Sequence, residues 1–255
     1  MAKSLTGKVI VNFGDSIFGN FRAPEDISSY IAEITGATVY NVGFGGCCMA
    51  VHEYPHFGCF SMYRLAEAVS SGDFSIQDKS FDMEPVGEPL PTYFKSSCEL
   101  LKSIDFSKVD IITIAYGTND YTDNKKTDSD DKYDITTYGG ALRYSLEKIM
   151  KAYPHIQIAL CSQLYRYFPN KEGVITGDSE DTMFGGNYLS AFLKKTEEIA
   201  NEYALYYLDN YYGSGINKET RHLCFANNDG AHPIPYGRKL IAENMAKKLT
   251  EAFGE

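Results

Sequence analysis

An α/β fold built on a parallel sheet follows from three features of the sequence. Short apolar runs alternate with longer segments of helical period, and the runs are continuously apolar rather than alternating. A chain of 255 residues is also long enough to bury a sizeable core. Together they describe strands separated by helices, in a sheet covered on both faces. No linker, internal repeat or low-complexity tract divides the chain, so one domain over residues 1–255 is expected.

The elements can be justified in order. KVIVNF (8–13) reads as a buried strand, and PEDISSYIAEIT (24–35) as a helix with Pro24 in its first turn and Ile27, Tyr30, Ile31 and Ile34 on one face. ATVYNV (37–42) is a second strand, followed by the glycine-rich GFGG. A helix is expected around Met62, Leu65, Ala66 and Val69. Residues 72–91, interrupted by prolines and glycines, read as a surface excursion. A helix over 92–104 leads to VDIITIAY (109–116), the strongest strand signal of the chain. The charged stretch near 121–135 reads as a solvated loop insertion. A helix over 138–153, a strand IQIALC (156–161) and a glycine-bearing loop over 165–186 come next. The helix 187–203, the strand ALYYLD (204–209) and the helix 235–253 complete five strands.

Charge narrows the choice of partners. The chain carries 34 acidic and 24 basic residues, a formal charge of -10, which repels phosphate backbones and anionic lipid. Neither nucleic acid nor a membrane surface is an expected partner. The first residues hold no apolar run of signal-peptide length. The six cysteines follow no zinc or compact disulfide spacing, so free thiols in a cytoplasmic protein are the expectation. Nothing in the sequence speaks to oligomeric state.

In an open parallel sheet, ligands bind beyond the carboxyl ends of the strands. Four unusual polar groups fall at that rim: Ser16 after the first strand, NVGFGG at the end of the second, GTND after the third, and DGAHP before the last helix. A serine hydroxyl is a weak nucleophile unless a base takes its proton. His232 is a base suited to neutral pH, and Asp229, three residues earlier, can orient its ring.

This constellation resembles the SGNH or GDSL hydrolase family of serine esterases and acylhydrolases. The first block matches Gly14-Asp15-Ser16-Ile17, and N-x-G-x-x-G matches Asn41 to Gly46. G-x-N-D matches Gly117 to Asp120, and D-x-x-H matches Asp229 to His232. Each block is common alone, but the four occur in family order across residues 14 to 233. Ile17 replaces the usual leucine, and Cys47-Cys48 stands where a small polar or acidic residue is common.

The resemblance implies a three-layer, flavodoxin-like fold with a five-stranded parallel sheet. It makes Ser16, Asp229 and His232 the catalytic triad, and Ser16, Gly46 and Asn119 the oxyanion hole. It implies a small-molecule ester substrate, such as an acetyl ester of a carbohydrate or metabolite, with no metal and no cofactor. Acyl transfer to another alcohol would use the same triad, and a non-catalytic flavodoxin-like binding module is the rival reading.

Two other motifs invite attention. A second Gly-Asp-Ser, ending at Ser179, lies in a polar acidic loop with no buried strand before it and reads as a turn. His52-Glu53-Tyr54-Pro55-His56 fits H-E-x-x-H, but Pro55 would interrupt the helix that a zinc site of this kind needs. The two histidines are therefore expected at the surface or the pocket rim.

Overall fold

The computed structural model describes residues 3–255. Strand β1 (Val9–Gly14) runs into the short helix α1 (Ser16–Gly19), and α2 (Ile27–Thr35) returns the chain to β2 (Thr38–Gly43). Helices α3 (Pro55–Gly58), α4 (Met62–Ser71), α5 (Ser75–Ser80) and α6 (Phe94–Ser103) precede β3 (Ile111–Ala115). Helices α7 (Thr118–Thr122) and α8 (Tyr138–Ala152) lead to β4 (Gln157–Cys161). A hairpin of β5 (Tyr167–Pro169) and β6 (Ile175–Asp178) follows. The chain ends with α9 (Leu189–Glu202), β7 (Tyr206–Leu208), α10 (Arg221–Cys224) and α11 (Pro235–Phe253).

Five strands make one parallel sheet in the order β2-β1-β3-β4-β7. Strand order reverses between β1 and β3, which is where a doubly wound sheet leaves a crevice at its carboxyl edge. Both faces are buried, which explains the continuous apolar runs. Along β1, Ile10 faces one core while Val11 and Phe13 face the other. Strand β4 repeats the division with Ala159 and Cys161 against Ile158 and Leu160. Ile27 and Ile31 of α2 join Ile241, Met245 and Leu249 of α11 on the first side. The second side is filled from α4, α6, α8 and α9, by Leu65, Leu101, Leu146 and Phe192 among others. Each such side chain contributes roughly 1.5–3 kcal/mol by leaving water, so the helices are held mainly by their apolar faces.

The structure departs from the sequence reading in four places. Helix α2 starts at Ile27 rather than at Pro24, because the Asp26 carboxylate accepts hydrogen bonds from the N–H groups of Ser28 (2.9 Å) and Ser29 (3.2 Å). The excursion over 72–91 contains α5, and the loop over 165–186 folds into the β5–β6 hairpin. The charged segment after β3 is not simply solvated. Tyr121 is fully buried, and Asp128 pairs with Arg143 and Lys195, tying the segment to α8 and α9.

All six cysteines are free and buried. Among the described residues no helix is long and apolar enough to cross a membrane.

Asp26 does more than cap α2, since it also accepts from Asn41 Nδ2 (3.1 Å) on β2 and from Ser29 Oγ (2.6 Å). Asp26→Ala is expected to cost about 2 kcal/mol, the sum of a lost cap and a lost buried hydrogen bond. Urea unfolding reads it, and an unchanged midpoint would contradict this account of the α2–β2 join.

Candidate active site

Strand β1 ends at Gly14, and Asp15 caps α1 by accepting from Ile17 N (3.0 Å), which leaves Ser16 as the first helical residue. Ser16 is 8% exposed, and it opens on a cleft of about 330 Å³ at the carboxyl edge of the sheet. Its Oγ lies 2.9 Å from His232 Nε2. His232 Nδ1 lies 2.8 Å from Asp229 Oδ2, while Asp229 Oδ1 accepts from the backbone N–H groups of Ala231 and His232, both at 2.9 Å. With Nδ1 donating to Asp229, Nε2 presents a lone pair to the serine hydroxyl. The loop that carries them is fixed at both ends. Ile234 N donates to Cys224 O (2.8 Å), and Tyr167 N of the β5–β6 hairpin donates to Gly230 O (3.0 Å).

Gly46 and Asn119 line the same cleft as Ser16 and His232. The loop after β2 turns tightly, with Gly46 at φ +76°, a backbone conformation that L side chains rarely adopt. Phe44 N and Cys47 N donate to Gly14 O and Phe44 O, and Gly45 N donates to Tyr93 Oη (2.8 Å). Among the described residues the Gly46 N–H has no acceptor. A Cβ on Gly45 would come within 2.6 Å of Tyr93 Oη and 3.3 Å of Ser16 Cβ, so the loop can lie against the serine only as glycine. Asn119 Nδ2 donates to Cys47 O (2.8 Å), which orients the amide and leaves its second N–H available. Ser16 N, first in its helix, has no intrahelical acceptor. Three N–H donors thus surround one cleft.

The acidic groups differ sharply. Burial pushes the Asp229 carboxyl up, but the hydrogen bonds from the His232 ring and from the Ala231 and His232 N–H groups outweigh it and hold it at about 2. Asp229 is therefore a carboxylate throughout the neutral range. Burial drives Asp15 up to about 7, against the Ile17 N–H and the nearby His232 and Arg166, which pull it down. Asp120 is pushed by burial to about 6, opposed by the N–H groups of Ala50 and Met49.

The two histidines of the H-E-x-x-H motif form no part of this hydrogen-bonded chain. Pro55 opens α3 instead of interrupting a helix, and His56 Nε2 contacts Glu88 O (2.8 Å). His56 is buried and does not line the cleft, so it sits at neither the surface nor the rim where it was expected. His52 lines the cleft and lies near Cys48 and Asp123, a grouping that the sequence reading did not anticipate. His52 Nε2 lies 3.8 Å from Asp123 Oδ2. Tyr54 N donates to His52 Nδ1 (2.9 Å), and Cys48 Sγ donates to Asp123 (3.4 Å). Burial, with Asp120 and Asp123 nearby, keeps the Cys48 thiol protonated. Ser179 closes the β5–β6 hairpin beside Tyr211 Oη (3.1 Å).

Sequence reasoning assigned no role to three residues. Asp120 accepts from Met49 N (2.8 Å) and Ala50 N (3.0 Å), so the last residue of GTND anchors the loop that carries Gly46. Asn41 donates to Phe18 O (2.9 Å) and accepts from Gly43 N (3.1 Å), tying α1 to β2. Arg166, a few residues beyond β4, also lines the cleft. Its place just past a strand's carboxyl end was the signal available.

Asp15 makes stability depend on pH. The fold holds the Asp15 proton up to about pH 7, whereas the unfolded chain loses it near 3.8. The protonated group therefore stabilises the fold below the unfolded value, and that contribution is lost as pH rises through the folded one. Between pH 5 and pH 8 the wild type should lose on the order of 2 kcal/mol relative to Asp15→Asn. Urea midpoints at the two pH values measure it, and a constant difference would contradict the assignment.

The model of the family GDSL-like Lipase/Acylhydrolase matches residues 10–245. A comparison with curated protein sequences returns no match. Among solved structures, a protein from Lactobacillus plantarum is similar with TM-score 0.65 and 17% identity, covering 97% of this chain and 99% of that one. A possible lipase from Chitinophaga pinensis gives TM-score 0.60 and 16% identity, covering 96% and 98%. Est24, a carbohydrate acetylesterase from Sinorhizobium meliloti, gives TM-score 0.57 and 15% identity, covering 96% and 100%. At such identities the likeness is one of fold. With the family match spanning nearly the whole chain, the protein belongs to the GDSL-like lipase/acylhydrolase family and is, at that level, a hydrolase acting on esters.

Proposed function

We propose that the protein cleaves a short acyl ester, such as an acetyl ester of a carbohydrate or small metabolite, through an acyl-enzyme on Ser16. The observation that supports it is the unbroken chain Ser16 Oγ to His232 Nε2 (2.9 Å) and His232 Nδ1 to Asp229 (2.8 Å), opening on a cleft with three unspent N–H donors. His232 takes the hydroxyl proton as Ser16 Oγ attacks the ester carbonyl carbon. The carbonyl oxygen becomes an oxyanion, and the N–H groups of Ser16 and Gly46 with the Asn119 amide stabilise it. The intermediate collapses, the C–O bond to the alcohol breaks, and His232 returns the proton to the departing alkoxide. Water then attacks the acyl-enzyme, with His232 again accepting a proton. The acid leaves and Ser16 regains its hydrogen. Asp229, ionised throughout, stabilises the imidazolium in both halves.

The preference for a short acyl group is supported by the crowding beside Gly46. A Cβ placed there would lie 3.1 Å from Phe57 Cε1, so the Phe57 ring closes that wall. Est24, of the same fold, is a carbohydrate acetylesterase, which agrees with a small acyl group.

With p-nitrophenyl esters, kcat/KM is expected to be at least about tenfold higher for acetate than for octanoate, because the Phe57 ring crowds the acyl side beside Gly46. The reverse order would contradict the short-acyl reading.

Ser16→Ala should lower kcat by about 10⁴-fold or more, and Asn119→Ala by about 10²–10³. His232→Ala should lower kcat about as far as Ser16→Ala, and a variant that keeps wild-type activity would count against His232 as the base.

A further inference from the structure

Among the described residues that line the cleft, Arg166 is the one with a permanent positive charge. Its guanidinium is held in place: Nη1 donates to Thr118 Oγ1 (2.9 Å) and to Thr118 O (3.4 Å), and the group lies 5.1 Å from the centre of the Phe168 ring. Its Nε is buried and donates to no acceptor. No carboxylate of the described residues lies within ion-pair distance of it, although the chain carries 34 acidic residues. The neighbouring charges of Asp15, Asp229 and Asp123 reach it only through space. Glu88, a carboxylate on the cleft wall, is exposed and forms no pair with it.

An arginine offers five N–H donors in a planar fork, and leaving a largely buried one without an anion is costly. Two other arginines are buried: Arg143 bonds both Asp128 and Glu202, and Arg238, without a carboxylate partner, donates to the backbone carbonyls of Glu25 and Pro233. Arg166 is fixed by a neutral threonine and an aromatic ring, and its Nη2, which bonds nothing among the described residues, is left for something that enters the cleft. Thr118, its anchor, is the residue before Asn119, which places this charge next to the wall where the ester would react.

We propose that Arg166 is an anion subsite of the Ser16 cleft, and that the substrate carries a carboxylate close to its scissile ester. This rests on the reading of Ser16 as the site of ester cleavage. The planar guanidinium fits a carboxylate through two parallel N–H donors, a geometry that lysine does not reproduce.

The test uses monomethyl succinate, which carries one ester and one carboxylate, and dimethyl succinate, its neutral counterpart. Binding of each to Ser16→Ala protein is measured by calorimetry, so that turnover does not intrude. Monomethyl succinate should bind about tenfold or more tightly than dimethyl succinate. Adding Arg166→Gln should bring the ratio close to one, and Arg166→Lys should restore part of it. Equal affinities in the Ser16→Ala protein, including no measurable binding of either ester, would overturn the proposal. So would a ratio that survives Arg166→Gln. Hydrolysis of the two esters by wild type is scored separately. Selective binding without hydrolysis would strike the Ser16 reading and leave the anion subsite standing, whereas hydrolysis without selectivity would do the opposite.

Discussion

Gly14 stands opposite Gly43 on one side and Ala115 on the other, so three parallel strands end at one level. Everything at the site depends on this register. Ser16 lies two residues past the end of β1, Gly46 three past the end of β2, and Asn119 four past the end of β3. Because the strands stop together, the three short connections converge on one cleft. A parallel register is fixed by burial on both faces, since a slip of one residue would exchange the side chains of the two cores. Asn12 shows the same constraint in polar form. It is fully buried, donates to Ser28 Oγ (2.8 Å) on α2, and accepts from Thr113 Oγ1 (2.7 Å) on β3, a pattern that only one register satisfies.

The loops at this rim are held by carboxylates rather than by apolar packing alone. Asp26 joins α2 to Asn41, Asp120 holds the segment after Gly46, and Asp229 holds the His232 loop. Each accepts at least two N–H groups, which offsets the cost of removing a carboxyl from water. The balance differs by site. Asp229 is only part-buried and richly bonded, so it stays ionised, whereas Asp15 and Asp120 are fully enclosed and are pushed towards neutral pH. The same residue type thus orients a histidine ring at one point of the rim and fixes backbone at another.

The sheet was legible in the sequence because both of its faces are buried, which turns each strand into a continuous apolar run. Boundaries were less legible. Pro24 looked like a helix start, but the Asp26 carboxylate, with two N–H partners, sets the true one. The β5–β6 hairpin was hidden because its strands are short, and Ile175 and Thr176 are exposed, so no apolar pattern marks them. At the site, the residues of the four motifs do meet in space: Ser16 bonds His232, His232 bonds Asp229, and Gly46 and Asn119 share their cleft. Asp120 and Arg166 could not be read in the same way. Their parts depend on tertiary contacts, with Met49 and Ala50 in one case and Thr118 in the other. The second Gly-Asp-Ser shows why the motif alone is insufficient, since Ser179 sits by a tyrosine hydroxyl with no histidine bonded to it.

The central claim is that one serine hydroxyl, and no other nucleophile of the chain, takes up the acyl group. Mass spectrometry of peptides from protein treated with a fluorophosphonate tests it most directly, because the reagent marks the activated serine covalently. The account predicts a single adduct on the peptide containing Ser16, absent when His232 is replaced by alanine. An adduct on Ser179 or on the Cys47-Cys48 peptide, or one on Ser16 that forms equally well without His232, would contradict it.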